Sequence, residues 1–158
     1  MTRLSIVLFA SATLVTTACS KKSGDAGSAA AKAAAVKLPN VGLQLEIPGE
    51  TMVSDGMEKV SNMVNGEAIG ALEVDLADKP QTLDEAKTDA ADFKPRNLKE
   101  EKLADGWALS YENTGSAGTN YFVRVRRDIA GKSYTCSTTG SQAAQAQAVL
   151  AACKSLRP

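Results

Sequence analysis

Histidine is absent from this sequence, and its absence removes several common kinds of functional site. The 158 residues contain no histidine, so a Ser-His-Asp triad, a histidine general base and a histidine metal ligand are all excluded. Aromatic residues make up only 4% of the chain, too few for the stacking platform of a single-stranded nucleic-acid binder. The formal net charge is zero, so the bulk positive charge typical of nucleic-acid binding is also missing. We therefore predict no nucleic-acid partner.

Catalytic motifs are missing as well. The sequence contains no Gly-x-Ser-x-Gly, Ser-x-x-Lys, P-loop or Gly-x-Gly-x-x-Gly pattern. A hydrolase based on carboxylates alone would need two carboxyl groups roughly 5–9.5 Å apart across a cleft. Glu100 and Glu101 are neighbours in a predicted strand, so their side chains point to opposite faces and cannot share such a site. We expect no catalytic residue and no cofactor, with an unrecognised carboxylate-based hydrolase as an alternative.

Acidic residues on one predicted helix raise the question of a metal site. Glu85, Asp89 and Asp92 share a helix face and could gather a weakly bound divalent cation. The same pattern is typical of an ordinary solvated helix face, and no EF-hand spacing is present. We therefore predict no metal site.

The longest uncharged run near the start of the chain has the form of a secretion signal. Residues 4–18 carry no charge and follow Arg3. As a helix this run would be about 22 Å long, which is short of the roughly 30 Å hydrocarbon core of a membrane. A positive start, an apolar run of this length and small residues at its end are typical of a signal peptide. We assign residues 1–18 to such a signal.

The end of that run resembles the lipobox of bacterial lipoprotein precursors, in which a small residue precedes an invariant cysteine. Ala18-Cys19 matches the pattern, whereas Thr16 stands where the family usually has Leu, Val or Ile. The resemblance implies that Cys19 becomes the mature N-terminus and carries a diacylglyceryl thioether and an amide-linked acyl chain such as palmitate. Three acyl chains would hold the protein on a membrane, since each buried CH₂ contributes about 0.8 kcal/mol.

The residue after the cysteine bears on the membrane to which a bacterial lipoprotein is sorted. In enteric-type bacteria an Asp at this position retains a lipoprotein in the inner membrane, and this chain has Ser20 instead. The resemblance therefore implies a cell-envelope protein, lipid-anchored in the outer membrane and facing the periplasm. The alternatives are an ordinary secreted protein whose signal happens to end near a cysteine, and a retained N-terminal anchor.

Two cysteines remain once Cys19 is set aside, namely Cys136 and Cys153. An exported protein meets an oxidising environment, which favours a disulfide between them. The bridge would close a loop of about 18 residues, contribute roughly 3 kcal/mol and join a strand-like segment to a helix-like one. Two reduced, buried cysteines are the alternative. A metal site would lack further soft ligands, and no Cys-x-x-Cys redox motif is present.

The rest of the chain divides into two segments of different composition. Residues 19–40 are rich in Ala, Ser, Gly and Lys, which predicts a flexible tether behind the lipidated cysteine. Residues 41–158 carry the periodic apolar patterns of a single globular domain. Charge is divided in the same way, because residues 1–40 have a net charge of +4 and residues 41–158 one of −4.

Alternating apolar residues predict seven strands in that domain, and two apolar stripes predict helices. The strands are expected at 41–47, 59–64, 68–76, 98–103, 107–112, around 121–126 and at 133–139. Tight turns are expected at Asn65-Gly66, Asp105-Gly106 and Ala130-Gly131, and a loop at 113–120. The first helix should begin with a capping box of Thr82 and Glu85 and end at Pro95, and the second should begin after Ser141. The helix stripes are Leu83, Ala86, Ala90 and Phe93, then Ala146, Val149, Leu150, Cys153 and Leu156.

These elements give the order β-β-β-α-β-β-β-β-α. Links of hairpin length make the sheet mainly antiparallel, so we predict an α+β fold in which about seven strands are covered by two helices. The element order is loosely similar to that of small α/β/α sandwiches of the Mog1/PsbP-like type.

One group of side chains is a candidate binding patch. Arg124 and Arg126 project from the strand face opposite Val123 and Val125, and Phe122 shares their side. An exposed aromatic ring with two arginines could dock an anionic partner such as a glycan, a lipid head group or an acidic protein. Pairing of the arginines with acids on neighbouring strands, or cover by a helix, would explain the same residues without a ligand.

Taken together, these features predict a lipid-anchored, non-catalytic binding or envelope-assembly module. Its partner would be an envelope protein or a glycan. A small-ligand carrier is a further alternative, and it would need a large apolar cavity between the sheet and the helices.

Overall fold

The computed structural model of the protein describes residues 32–158, and at positions 139 and 140 it describes only the backbone. The signal peptide, Cys19 and most of the tether lie outside the described residues, so what the sequence predicts for them stays a prediction. Neither helix in the described part of the chain is long and apolar enough to cross a membrane.

Nine strands and two helices make up the described part of the chain. They are β1 (Ala33–Leu38), β2 (Leu43–Pro48), β3 (Thr51–Asp55), β4 (Ser61–Gly66), β5 (Gly70–Leu76), α1 (Leu83–Ala91), β6 (Arg96–Leu103), β7 (Gly106–Gly115), β8 (Gly118–Ile129), β9 (Lys132–Ser141) and α2 (Ala143–Lys154).

Seven of the strands form one antiparallel sheet in the order β3-β4-β5-β9-β8-β7-β6, and β1 and β2 form a separate hairpin. The α+β class and the mainly antiparallel sheet are therefore confirmed. The membership of the sheet differs from the prediction. The strand predicted at 41–47 exists as β2 but leaves the sheet, and β3, which the sequence did not predict, takes the edge position.

The segment that contains β1 corrects the predicted tether. Residues 33–38 are assigned to the tether by composition, yet they pair with β2, from Ala33 opposite Pro48 to Leu38 opposite Leu43. Leu38 is fully buried in the main core. A run of alanines has no apolar alternation of its own, so the partner strand and the burial of Leu38 decide its conformation. Residues 33–38 therefore belong to the fold rather than to the tether.

One side of the sheet, which we call the α2 face, holds the main core. It carries Val74, Cys136 and Val125, which lie in direct register on neighbouring strands. The β1-β2 hairpin and α2 cover this face. The fully buried residues of the core include Leu38, Leu45, Ile47, Val64, Leu72, Val74, Val125, Val149, Cys153 and Leu156.

The opposite side of the sheet, which we call the α1 face, holds a smaller core. Ala86 and Ala90 of α1 pack against Trp107 and Leu109 of β7, and all four side chains are buried. Trp107 is thus a core residue, as the alternation predicts, and its indole Nε1 donates to the Gln81 carbonyl at 3.1 Å.

Both helices are tied to the same edge strand. Lys87 of α1 lies 2.6 Å from Glu100 of β6, and Lys154 of α2 lies 2.7 Å from Glu101. The two glutamates therefore point to opposite faces, as their adjacency in a strand predicts. These ion pairs are exposed, so each adds little stability.

The two helix starts differ in how well the sequence predicted them. The capping box of α1 is confirmed, since the Glu85 amide donates to the Thr82 hydroxyl at 3.2 Å and the Thr82 amide to the Glu85 carboxylate at 2.7 Å. The predicted Ser141 cap of α2 is wrong. Its hydroxyl donates to the Tyr121 carbonyl at 3.2 Å, so Gln142 becomes the N-cap residue instead.

The turn predicted at Ala130-Gly131 is confirmed, and the turn predicted at Asn65-Gly66 is wrong. Ala130 and Gly131 have φ of 50° and 76°, the backbone that a type I′ turn requires. Asn65-Gly66 ends β4, and the chain turns at residues 67–69 because buried Ile69 anchors the turn in the core. Gly70 then takes the positive φ, at 66°.

The turn predicted at Asp105-Gly106 is displaced, and the loop predicted at 113–120 is shorter than expected. The Asp105-Gly106 turn lies one residue earlier, because Gly106 already pairs with Leu103 in the ladder. A Cβ atom on Gly106 would lie 1.9 Å from the Arg126 carbonyl oxygen, so this close approach requires glycine. The predicted loop at 113–120 shrinks to a two-residue turn at 116–117, since Thr114 and Thr119 continue the pairing of β7 with β8.

The predicted disulfide is present between Cys136 and Cys153, with 5.6 Å between their Cα atoms. Both residues are fully buried. Cys136 lies on β9, the central strand of the sheet, and Cys153 lies near the end of α2. The bond therefore joins the last helix to the middle of the main core.

Changing both Cys136 and Cys153 to alanine should lower the free energy of unfolding by about 3 kcal/mol, because the unfolded chain would lose its loop constraint. Urea unfolding of the wild type and the double variant measures this difference. Reducing agent should destabilise the wild type and leave the variant unchanged, which serves as the control. Equal urea midpoints for the two proteins would contradict the prediction.

Candidate functional site

The α1 face is only partly covered, and the predicted patch lies on it. One row of directly paired residues crosses this face from Ser54 through Met63, Glu73, Ser137, Arg124 and Leu109 to Glu100. Helix α1 packs on the β7 end of the row, where Leu109 is buried. Ser54 at the other end is exposed. Arg124 therefore lies where the covered part of the face meets the open part.

A cavity of about 190 Å³ lies between α1 and the sheet at this boundary. It is lined by Ala86, Asp89, Ala90, Phe93, Leu109, Tyr111, Phe122, Val123, Arg124, Ser137 and Thr138. Its walls are mainly apolar, with a single cation and a single acid at the rim. Its volume of about 190 Å³ falls below the roughly 300–1,000 Å³ of typical small-molecule sites.

Three aromatic rings form one wall of this cavity. Tyr111 and Phe122 stack with 4.9 Å between their centroids, and Phe93 lies 5.9 Å from Phe122. Phe93 is 51% exposed although it belongs to the predicted apolar stripe of α1. Burial raises the pKa of the Tyr111 hydroxyl above its ordinary value. The wall thus offers stacked rings with one exposed edge, a surface suited to a ring or an apolar chain.

Arg124 supplies the charge of the site. Its guanidinium Nη1 donates to Gln81 Oε1 at 3.0 Å and lies 3.7 Å from Asp89 Oδ2. The side chain is 42% exposed. A long contact with one carboxylate at a solvated position is weak, so Arg124 can still pair with an incoming anion.

The other two arginines are more firmly held. Arg126 pairs with both oxygens of Asp128, and its Nη1 donates to the Gln81 carbonyl at 3.0 Å. Arg127 lies on the α2 face, where it pairs with Asp105 at 2.8 Å and donates to the Lys154 carbonyl at the end of α2. Of the predicted patch, the structure brings Arg124 and Phe122 together at the cavity. Arg126 lies beside them but is engaged by its own neighbours.

The acids of α1 have partners of their own. Glu85 belongs to the capping box, and Asp89 accepts from the Gln81 amide at 2.7 Å besides facing Arg124. Within residues 32–158, no group of three His, Cys, Asp or Glu side chains is arranged to hold a metal ion.

The open part of the α1 face contains an acidic group that the sequence analysis missed. Asp75 and Glu73 alternate along β5 and share this face, and Glu73 Oε1 accepts from the Met57 amide at 2.6 Å. Burial, followed by the charges of Glu73 and Glu58, raises the pKa of Asp75 to about 6. The alternation of β5 could have placed Glu73 and Asp75 together, but only the fold brings Glu58 near them.

No protein-family model matches the sequence, and no curated protein matches it significantly.

Asp75 should make stability fall as the pH rises. The folded state keeps the Asp75 proton up to about pH 6, whereas an unfolded aspartate loses it near pH 3.8. Ionising Asp75 therefore destabilises the folded state progressively between pH 3.8 and about pH 6. At neutral pH the full loss of stability has been reached.

Asp75→Asn should thus raise the free energy of unfolding at pH 7.5 by about 1–2 kcal/mol, after discounting for partial solvent exposure, and change it little near pH 4. Urea unfolding at both pH values measures the effect, with exposed Asp78→Asn as the matched control. A loss of stability at pH 7.5, or the same change at both pH values, would contradict this account.

Proposed function

We propose that the protein is a lipid-anchored cell-envelope lipoprotein that acts as a non-catalytic binding or envelope-assembly module. The observation that carries this proposal is the buried Cys136–Cys153 disulfide. Stable structural disulfides form in oxidising compartments outside the cytoplasm. The bond uses both cysteines of the folded part, which leaves Cys19, directly after the signal-like segment, as the remaining thiol of the chain.

The position of β1 supports an anchor close to the domain. β1 begins at Ala33, so 13 residues lie between it and Cys19 along the chain. Even a fully extended chain of this length reaches only about 50 Å. A domain anchored through Cys19 would therefore stay close to the membrane surface, where envelope proteins and glycans are accessible.

The lipid anchor is tested by metabolic labelling. Radiolabelled palmitate should enter the wild-type chain in bacteria and should not enter Cys19→Ser, because the thioether requires the thiol. The wild type should fractionate with the outer membrane, given Ser20. Cys153→Ala serves as the control that removes a different cysteine and should still be labelled. Equal labelling of the wild type and Cys19→Ser would exclude the anchor.

The binding part of the proposal rests on Arg124 and the cavity beside it. A guanidinium next to stacked rings favours a partner that combines an anionic group with a ring or an apolar chain. The partial exposure of Phe93 and Arg124 leaves both accessible. We infer that an acidic segment of an envelope protein or an anionic glycan binds there.

Photocrosslinking in cells tests this site. A benzophenone amino acid in place of Phe93 should yield a discrete crosslinked product in the envelope. Arg124→Gln should reduce its yield by roughly tenfold, since a charge-assisted hydrogen bond contributes about 1.5–3 kcal/mol. Exposed Arg96→Gln is the matched control and should leave the yield unchanged. The same products with and without Arg124 would contradict the assignment of this site.

A further inference from the structure

The two edge strands of the seven-stranded sheet differ in how well they are protected from pairing with a strand of another chain. β6 carries Lys99, Glu100, Glu101 and Lys102 in succession, and both helices are tied to it by ion pairs. β3 has the sequence Thr-Met-Val-Ser-Asp, with no lysine, no proline and no register shift against β4. Charged side chains, proline and bulges are the usual means of keeping an edge from pairing with another chain. β3 lacks all three.

The backbone of β3 has a defined set of outward groups. The Gly56 amide donates to the Ser61 carbonyl, which places this pair in hydrogen-bonded register. Bonded and non-bonded pairs alternate in an antiparallel ladder, so Ser54 and Met52 also face β4. The N–H and C=O groups of Thr51, Val53 and Asp55 therefore point away from the sheet, where they can pair with an added strand.

The charge around this edge is strongly negative. Residues 50–76 contain six acidic residues and one lysine, a net charge of −5, whereas residues 77–158 have a net charge of +2. Glu50 precedes β3, Asp55 ends it and Glu58 follows, and all three side chains are exposed. The added strand that fits this edge is therefore a basic one.

Apolar exposure is concentrated at the same place. Three large apolar side chains are exposed among the described residues, and two of them are Met52 and Met57, at 68% and 78%. Met52 lies on β3, and Met57 lies in the segment that follows it. Flexible methionine side chains adapt to varied partner surfaces, so they can pack against the side chains of an added strand.

We propose that the β3 edge binds an extended, lysine- or arginine-bearing segment of another protein by β-strand addition. Main-chain hydrogen bonds to Thr51, Val53 and Asp55 would supply affinity, and the surrounding acids would select for basic side chains. A second copy of this chain is disfavoured as the occupant because it would bring two strongly acidic edges together. This surface is distinct from the Arg124 site, which lies beside α1 and favours anionic partners.

The test uses the full chain in non-ionic detergent and a labelled peptide in which lysine alternates with threonine. Fluorescence anisotropy should show binding that weakens as salt is added, because salt screens exposed charges. Hydrogen exchange measured by mass spectrometry should slow in residues 50–57 when the peptide is present. A peptide with glutamate in place of lysine is the control and should not bind.

Two variants distinguish the contribution of backbone hydrogen bonds to peptide binding from the contribution of the acidic side chains. Val53→Pro removes one outward N–H while leaving the hydrogen bonds to β4, and it should abolish the exchange protection. Glu50→Gln with Glu58→Gln leaves the backbone intact and should weaken binding roughly tenfold, or about 1.4 kcal/mol. Asp84→Asn with Asp92→Asn neutralises two acids near α1 and should have no effect.

Several results would overturn the proposal. They are equal binding of the glutamate peptide, protection that maps outside residues 50–57, and unchanged binding by the Glu50 and Glu58 double variant. Dimerisation of the peptide-free protein with protection of the same segment would also overturn it, because the occupant would then be a second copy. None of these results depends on acylation of Cys19 or on the Arg124 site.

Discussion

The bond between Cys136 and Cys153 joins the last helix to the sheet and closes a short stretch of chain, since the two cysteines are 17 residues apart. It holds α2 on the central strand of the sheet. Half of the residues of α2 are alanine, and small side chains bury little apolar area, so a covalent link matters more here than in a leucine-rich helix. The residues after α2 then pair with β2, since the Gln44 and Arg157 amides each donate to the other residue's carbonyl. The position of the β1-β2 hairpin thus depends on that of α2, and both are favoured by an oxidising environment.

The two faces of the sheet serve different purposes as a result. The hairpin and α2 pack on the α2 face, which supplies most of the core. The α1 face carries one short helix at one end and leaves polar and charged side chains exposed at the other. The cavity beside Arg124 and the acidic β3 edge lie in these two different regions, so one small domain offers surfaces of opposite charge preference.

Several local signals in the sequence predicted local structure correctly, whereas the Ser141 cap and the Asn65-Gly66 turn were wrong. Three features could be predicted from the spacing of residues in the sequence. They are the capping box of Thr82 and Glu85, the Ala130-Gly131 turn and the disulfide pair. β1 and the site of the 67–69 turn could not be predicted, because they depend on burying Leu38 and Ile69 in a core built from distant strands. The candidate patch was partly predictable. Alternation placed Arg124, Arg126 and Phe122 on one face. Only the hydrogen bonds of the folded structure show that Gln81 and Asp128 hold Arg126, while the Arg124 side chain stays partly exposed.

The central claim is that this domain is anchored outside the cytoplasm through an acylated cysteine. The most direct test is the intact mass of the protein extracted from bacterial membranes without reducing agent. The account predicts a chain that begins at Cys19, carries a diacylglyceryl group and an amide-linked acyl chain, and lacks two hydrogens at Cys136 and Cys153. An unmodified chain that begins at Met1, with all three thiols free, would contradict it.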